Sequence, residues 1–237
     1  MERTMTEGGR YFRNAKAFKK DAFAVLRTKL PDRKAFERFY AAIPSAKEKN
    51  EFLRVCCSYR YLAKHGKWKV YVRGVNRDID YLDNSFKLVA VFSLIESLSD
   101  EKHQDFFEWL SAQDAEDIFP IKSKAELRQR HTEYKGSFGA IRRCVAFFGG
   151  LPPEQKQRLC RAISTDGKPT ENIKKLAEYL YNLRSKFVHE AELILELGAG
   201  PIHSITSKGL VFSTLSVQDV LDAFENGVLA YFSNSEI

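Results

Sequence analysis

The sequence has no apolar run long enough to cross a membrane. The longest one, Leu88 to Leu98, is interrupted by Ser93, Glu96 and Ser97 and is much shorter than the roughly 20 residues that a bilayer-spanning helix needs. The first residues of the chain are polar and lack the apolar stretch of a secretory signal. We therefore expect a cytoplasmic protein with no bilayer crossing.

The sequence also lacks the residue spacings of common metal, disulfide and phosphate-loop sites. The four cysteines form neither a zinc pattern nor a disulfide framework, and we expect them to be reduced: Cys56, Cys57, Cys144 and Cys160. No two histidines have the spacing of a helical metal site, so we expect no metal ion. Gly136 and Gly139 lack the lysine of a phosphate loop, and no serine-elbow pentapeptide occurs. We expect no cofactor.

Positive charge is concentrated in the first third of the chain. The net charge is +7, yet residues 1–77 hold 20 Lys and Arg against 7 Asp and Glu, whereas residues 78–237 hold 18 against 24. A basic segment of this kind is typical of contact with nucleic-acid phosphates, although a solvated helical face or a segment that binds an anionic protein has a similar composition.

Four residues near the end of this segment are candidates for nucleic-acid binding: Lys67, Trp68, Lys69 and Arg73. Trp68 lies between two lysines, and its ring could stack on an unpaired base while the cations contact phosphates. The alternative for an aromatic residue is a place in the core.

Apolar residues recur at helical spacing along most of the chain. Helices are predicted over residues 14–29, 35–43, 45–64, 85–98, 105–111, 122–148, 154–163, 170–197 and 217–232. Ser45 has Glu48 three residues later, which is a capping-box pattern for a helix start. Alternating apolar residues favour short strands at residues 68–72 and 210–215, and residues 164–169 and 197–209 are expected to be loops.

The fold class that follows is mostly α with little sheet. A polar segment, residues 76–84, coincides with the change in charge sign and marks the boundary between two modules. Residues 1–77 are expected to form a basic, mainly helical N-terminal module. Residues 78–237 are expected to form a helical domain that ends in a C-terminal helix.

Within the predicted helix 170–197, Arg184 precedes His189 by five residues. An arginine holds a phosphate with a fixed positive fork, and a histidine transfers protons near neutral pH. Together they can cleave a phosphodiester without a metal. The alternative is that both are ordinary surface residues of a helix. The same spacing recurs at Arg60 and His65, where we interpret it as chance on a basic helix.

The run of residues 180–189, with Arg184, the polar Ser185 and then His189, resembles the signature of HEPN domains. The segment Val91 to Leu98 resembles the first helix of those domains, and the resemblance extends over roughly residues 83–196. It implies a helical bundle that usually dimerises. In many members it implies a metal-independent endoribonuclease of phage-defence or toxin systems, with an antitoxin or inhibitor protein as a further partner.

Helix geometry constrains such a site. Residues five apart point about 140° apart, so Arg184 and His189 do not share a face, whereas Ser185 and His189 do. Catalysis therefore requires a second copy of the helix, most simply from the other subunit of a two-fold homodimer. His189 would act as general base or acid and Arg184 would stabilise charge on the phosphate, which leaves a 2′,3′-cyclic phosphate end.

Three further residues are candidates around this pair. Ser185 either positions His189 or a phosphate oxygen, or is a solvated helix residue. Glu96 and Glu190 are accessory candidates, and for Glu96 the alternative is a surface position.

Two functions from different classes remain open. The first is a dimeric HEPN-type ribonuclease to which the basic N-terminal helices deliver RNA. The second is a non-catalytic HEPN scaffold that binds a partner protein or nucleic acid, because membership of a fold family does not settle activity.

Overall fold

The computed structural model describes residues 9–69, 73, 80–98, 106–112, 121–170, 172–198, 200–206 and 209–233. These residues form eleven α-helices, one π-helical turn and a small four-stranded sheet. The expected mostly α fold with little sheet is confirmed. The N-terminal part comprises α1 (Arg10–Arg13), α2 (Ala15–Leu26), α3 (Arg33–Ala42), α4 (Ala46–Tyr59) and the π-helical turn Arg60–Lys64.

Side-chain caps explain where α3 and α4 begin. The Asp32 carboxylate accepts a hydrogen bond from the backbone N–H of Ala35 at 2.7 Å. Ser45 and Glu48 form the capping box that their spacing predicts: the Ser45 hydroxyl accepts from the Glu48 N–H at 3.1 Å, and the Glu48 carboxylate accepts from the Ser45 N–H at 3.0 Å. Each contact satisfies an N–H group that the helix itself leaves without a partner.

The described residues from 80 onward add seven helices and the sheet. The helices are α5 (Asp80–Ser97), α6 (Phe106–Ser111), α7 (Lys124–Phe138), α8 (Ala140–Gly149), α9 (Pro153–Arg161), α10 (Ile173–Glu190) and α11 (Val217–Ser233). None of the helices in the described residues combines the length and the apolar character that crossing a bilayer requires.

Helices α7 and α8 replace the single helix predicted over residues 122–148. Gly139 separates them because its backbone is extended, with φ −64° and ψ 135°. Its N–H still donates to the Lys135 carbonyl at 3.0 Å. A Cβ at Gly139 would lie 2.4 Å from the Lys135 carbonyl oxygen, so only glycine fits here without a shift of the backbone. The break gives α8 its own N-terminus beside α5 and α10.

The four strands form one antiparallel sheet of order β2-β1-β4-β3. They are β1 (Ile163–Thr165), β2 (Lys168–Pro169), β3 (Ile202–Thr206) and β4 (Gly209–Ser213). Strand β4 agrees with the prediction, whereas β1, β2 and β3 lie largely in segments expected to be loops. Asp166 and Gly167 join β1 to β2, and both have positive φ, 49° and 77°, as a tight hairpin turn requires.

A further strand was expected at residues 68–72. Trp68 and Lys69 are not in a strand, and residues 70–72 lie outside the described residues.

Helices from both sides of the expected module boundary contribute to one hydrophobic core. Phe52 on α4 packs edge-to-face against Phe232 on α11, with ring centroids 5.3 Å apart. Tyr59 lies 4.6 Å from Phe224 by the same measure. Residues 74–79 lie outside the described residues, so the boundary at residues 77 and 78 stays a prediction. The N-terminal helices are packed against the C-terminal helix.

Glu225 on α11 connects these helices through polar contacts. It is 1% exposed and accepts hydrogen bonds from the hydroxyls of Tyr59 at 2.8 Å and Thr28 at 3.1 Å, and it forms an ion pair with Lys64. Burial, and after it the Glu225 carboxylate, raises the pKa of Tyr59 far above its ordinary value, so its hydroxyl remains a donor. A buried carboxylate needs such partners because its transfer out of water costs on the order of several kcal/mol.

Candidate functional site

Arg184 lies on the inner side of α10, against α5. Its Nη2 atom is 3.6 Å from Oε2 of Glu96 in the last turn of α5, and the two side chains are 16% and 24% exposed. The guanidinium also lies over the Tyr181 ring, 5.6 Å from the centroid. Nε of Arg184 and Oε1 of Glu96 are buried and make no hydrogen bond with the described residues. The contact is therefore a loose ion pair rather than a bidentate hydrogen-bonded one.

A second arginine approaches Glu96 from α8. Nη1 of Arg143 donates to the Glu96 backbone carbonyl at 3.2 Å. Among the described residues, Arg143 and Arg184 thus both contact Glu96 where α5, α8 and α10 pack together, Arg143 through the backbone carbonyl and Arg184 through the carboxylate. We refer to Glu96, Arg143 and Arg184 as the charge cluster.

The charge cluster affects the pKa values of two neighbouring side chains, Cys144 and Tyr181. Burial raises the pKa of the Cys144 thiol to about 12; the Glu96 carboxylate acts in the same direction, and Arg184 and Arg143 oppose it. Burial, and then Glu96, likewise raises the pKa of Tyr181, while Arg184 lowers it. All three charged groups therefore act on one half-buried volume, in which both of these side chains stay protonated near neutral pH.

His189 is exposed at the last turn of α10. It follows the buried Leu180 by nine residues, which places it about 180° around the helix from Leu180, whereas Arg184 follows Leu180 by four and lies about 40° away. The exposure of His189 agrees with this direction, away from the core. A single chain therefore does not bring Arg184 and His189 onto one face.

The other candidates on this helix differ in their surroundings. Ser185 is half-buried on the same side as His189, and Glu190 is exposed as the last helical residue. Nζ of Lys186 lies 3.1 Å from Oε2 of Glu192, just beyond the helix. Of the predicted accessory residues, Glu96 contacts Arg184, and Glu190 lies next to His189 in the chain.

The end of α10 comes earlier than predicted. Ala191 adopts the left-handed conformation, with φ 56° and ψ 25°, and its N–H donates to the Lys186 carbonyl. The expected helix over residues 170–197 therefore stops at Glu190. Ile194 is buried, but from a non-helical segment, and its N–H donates to the Ser85 hydroxyl at 3.0 Å.

Three large apolar side chains around this helix end are exposed. Val188, Leu193 and Leu195 expose 47%, 39% and 51% of their surface, and we call them the helix-end patch. Single exposed apolar residues are common, but several of them within eight residues of the chain are typical of a surface that contacts another molecule.

Trp68 packs against α5. Its ring stacks on Phe86 with centroids 4.9 Å apart, and Phe86 meets Phe187 on α10 edge-to-face at 5.3 Å. Its indole N–H donates to the Leu62 carbonyl at 2.9 Å. One face of the ring is therefore covered, so Trp68 has a packing role. The side chain still exposes 38% of its surface. The aromatic contacts place the basic segment beside α10.

Lys67, Lys69 and Arg73 are exposed. Several other basic residues of the N-terminal part are in ion pairs: Lys19 and Arg33 with Glu37, Arg54 with Glu51, Arg60 with Asp21, Lys29 with Asp222 and Lys64 with Glu225. The last two pairs join the basic N-terminal part to the acidic C-terminal helix. Some of the basic residues that cause the charge asymmetry therefore stabilise the packing of these helices.

Arg143 and Cys144 were not among the residues predicted from the sequence. The available signal is weak: the first turn of α8 contains Arg142 and Arg143 and no acidic residue, which is the reverse of what a helix N-terminus favours. Among the described residues, no three His, Cys, Asp or Glu side chains are placed to hold a metal ion.

The chain matches no protein-family model, and no curated protein or solved structure is similar to it.

Proposed function

We propose that the protein is a cytoplasmic, metal-independent endoribonuclease of the HEPN type that acts as a homodimer. The observation that carries the proposal is the arrangement on α10, where Glu96 holds Arg184 toward the core while His189 stands exposed at the helix end. The resemblance of residues 83–196 to HEPN domains is the second support. Phage defence and toxin–antitoxin pairs are the settings that this resemblance suggests.

The helix-end patch supports a second copy of the chain as the partner. Val188 immediately precedes His189, and Leu193 and Leu195 follow within six residues. A two-fold interface built on this patch buries apolar surface and brings two copies of His189 into one cleft, because a two-fold contact pairs each surface with itself. Each copy of α10 also carries an Arg184, on the side of the helix that faces α5.

The proposed cleavage requires only proton transfer and the stabilisation of negative charge. One His189 takes the proton from a ribose 2′-OH, and the 2′-oxygen bonds to the adjacent phosphorus. The bond from phosphorus to the 5′-oxygen breaks, and His189 of the second copy donates a proton to that oxygen. Arg184 stabilises the negative charge on the phosphate oxygens during the transfer. The products are a 2′,3′-cyclic phosphate and a 5′-hydroxyl end.

The basic segment around Lys67 and Lys69 supports RNA as the substrate. It packs against α5 and α10 through Trp68 and Phe86, so the exposed cations lie beside the helix that carries His189. Phosphate contacts by exposed cations give binding that weakens steeply as salt rises.

A second candidate function is a non-catalytic HEPN scaffold. The ion pair of Arg184 with Glu96, in which both side chains are mostly buried, also fits an arginine with a purely structural role. In that case His189 is an ordinary surface residue, and the helix-end patch binds a partner protein, such as an inhibitor or antitoxin.

Cleavage of RNA in the presence of EDTA separates the two functions. We expect the full chain to cut single-stranded RNA with EDTA present, and His189→Ala to lose activity by roughly a hundredfold or more, the size of a general acid–base contribution. His65→Ala is the matched control, because Arg60 and His65 have the same spacing and His65 is also exposed. We expect His65→Ala to retain full activity.

Arg184→Lys adds a test of the arginine with less risk to folding. Lysine keeps the positive charge beside Glu96 but loses the planar fork that holds phosphate oxygens, so cleavage should fall while thermal stability changes little. If the wild-type chain cuts none of several RNAs, the ribonuclease proposal is wrong and the scaffold remains. If His189→Ala cuts as well as wild type, the proposed His189 site is wrong.

A further inference from the structure

Helix α7 carries its basic and acidic residues on opposite sides. Four exposed residues with basic side chains, which we call the basic stripe, lie at intervals of four, three and four along the helix: Lys124, Arg128, His131 and Lys135. Their directions differ by no more than about 60° around the helix axis. Glu126 and Glu133, the two acidic residues of α7, point about 180° away from the middle of the basic stripe.

The acidic residues of α7 have other partners. Nη1 of Arg130 lies 3.4 Å from Oε2 of Glu133, which also accepts from the Gln129 side chain, and Glu126 accepts from the Lys122 N–H at 2.9 Å. No ion pair or side-chain hydrogen bond joins the basic stripe to any residue that the structure describes. Residues 78–237 are acidic as a whole, so the basic stripe is a local feature and not a result of the general composition.

An aromatic cavity lies beside the basic stripe. Phe106 on α6 and Leu127, Arg128 and His131 on α7 line a cavity of about 280 Å³. The His131 ring meets Phe106 edge-to-face with centroids 5.3 Å apart. Phe106 also stacks on the buried ring of Trp109, with centroids 6.1 Å apart. The volume is near the lower limit of roughly 300–1,000 Å³ for small-molecule sites, which suits one ring system rather than a large ligand.

The cavity and the basic stripe share Arg128 and His131. A ligand that fits both features has flat rings and negative charges in alternation. Single-stranded nucleic acid has this chemistry, because each base has a face that stacks on an aromatic ring or a guanidinium plane and each nucleotide has a phosphate. Lys124 and Lys135 are eleven residues apart, about 16 Å along the helix, which is long enough to contact several phosphates.

We propose that α7 binds a single-stranded polynucleotide, with one base in the cavity lined by Phe106 and His131 and the neighbouring phosphates along the basic stripe. The identification of that strand as an RNA substrate rests on the proposed ribonuclease function. The binding surface itself does not, because it follows from the charges and rings of α6 and α7.

A labelled single-stranded DNA oligonucleotide tests the surface by fluorescence anisotropy, because DNA lacks the 2′-OH that the proposed cleavage requires. For single strands, log K falls with log salt with a slope of about −0.7 for each phosphate contact. Arg128→Gln combined with Lys135→Gln should therefore reduce the magnitude of the slope by roughly 1.4. Arg161→Gln combined with Lys168→Gln is the matched control, because it removes the same charge from exposed positions on α9 and β2. Its slope should equal that of wild type.

An abasic oligonucleotide of the same length and charge tests the cavity. The wild-type chain should bind it roughly fivefold or more weakly than the oligonucleotide with bases, as expected for one lost stacking contact. His131→Ala should reduce this preference for bases, since it removes a ring from the cavity wall. Thr132→Ala, at the next exposed position of α7, should retain the preference.

Three results would overturn the inference: equal binding of the two oligonucleotides by wild type, the same slope for wild type and the Arg128 and Lys135 double variant, or competition by polyglutamate as effective as that by DNA. The last would identify a surface for acidic proteins. If wild type binds DNA through the basic stripe but cuts no RNA, the inference stands and the ribonuclease proposal fails. If RNA is cut and the double variant changes neither KM nor the slope for DNA, the ribonuclease stands and the inference is wrong.

Discussion

The carboxylate of Glu96 lies 3.6 Å from the guanidinium of Arg184, across the contact between α5 and α10. The segment around Glu96 and the segment around Arg184 are the two on which the proposed HEPN resemblance is based. The contact between Glu96 and Arg184 joins these two segments. Arg184 is consequently held by its own chain, and under the proposed function only His189 depends on a second chain to complete a site.

Removing the charge of Glu96 should destabilise the protein. Glu96→Gln removes the negative charge beside the half-buried Arg184, and we expect the free energy of unfolding to fall by about 1–3 kcal/mol. Urea denaturation at pH 7 measures the change. Glu192→Gln is the control, because its ion pair with Lys186 is about half exposed and should contribute less than about 0.5 kcal/mol. Equal effects of the two substitutions would show that the contact of Glu96 does not matter for stability.

Glu225 should contribute much more to the free energy of unfolding than any surface carboxylate does. Glu225→Ala removes the acceptor of Tyr59 and Thr28 and leaves Lys64 without its buried partner, so the free energy of unfolding should fall by about 3–5 kcal/mol. Chemical denaturation with circular dichroism detects this loss. Glu178→Ala, in an exposed pair on α10, should have an effect close to zero.

The same experiment examines how the N-terminal helices are attached. Because they share a core with α11, the wild-type chain should unfold in a single transition. Two separate transitions would contradict the view that the packing around Glu225 joins the two parts.

A glycine at the end of α10 should stabilise the protein. Ala191 has the left-handed conformation, which costs a residue with a Cβ roughly 1–2 kcal/mol, and glycine avoids this cost at the price of greater freedom in the unfolded chain. Ala191→Gly should therefore raise the free energy of unfolding by about 0.5–1 kcal/mol. Ala162 follows α9 with ordinary right-handed angles, so Ala162→Gly should not stabilise. A lower melting temperature for Ala191→Gly would contradict the backbone geometry at this position.

The four cysteines should be unreactive in the folded protein. All four are buried, and burial raises the pKa of the Cys57 and Cys144 thiols to about 12 and of the Cys56 and Cys160 thiols above the ordinary value. At pH 8 a disulfide reagent such as DTNB should label them only at the rate of unfolding. Rapid labelling of any thiol would contradict its burial.

The same pKa shifts predict a loss of stability at alkaline pH. In the unfolded chain these thiols lose their protons at about pH 8.5–9, whereas in the folded chain Cys57 and Cys144 keep theirs up to about 12. Above the unfolded value the unfolded state binds fewer protons, so the free energy of unfolding falls as pH rises between the two values. Urea denaturation at pH 8 and pH 10 measures this decrease, and equal stability at both pH values would contradict it.

Local signals in the sequence were sufficient for most helices. The capping pattern of Ser45 and Glu48 and the apolar stripe that includes Leu176 and Leu180 reflect interactions within one or two turns. Both helices form in the expected segments, although α10 ends at Glu190 and not at residue 197. The break at Gly139 was not predicted because the helical pattern continues on both sides. Most of the sheet was missed because its strands are short, although Asp166 followed by Gly167 is a hairpin-turn signal that could have indicated β1 and β2.

The candidate site was only partly predictable for a similar reason. The outward direction of His189 follows from helix geometry and the apolar stripe. The partners of Glu96 depend on which helices pack together, and the approach of Arg143 from α8 is a long-range contact with little trace in the local sequence. The burial of one face of Trp68 against Phe86 likewise depends on tertiary packing.

Cross-linking at residue 189 tests most directly whether two copies of α10 face each other. The native thiols are buried, so His189→Cys introduces a single accessible thiol per chain. Asn182→Cys is the control: it is exposed on nearly the same side of α10, about 10 Å further from the helix end. We expect a short bismaleimide to convert most of the His189→Cys chain to a covalent dimer and little of the Asn182→Cys chain. A His189→Cys chain that reacts with the reagent but stays monomeric would contradict the composite site.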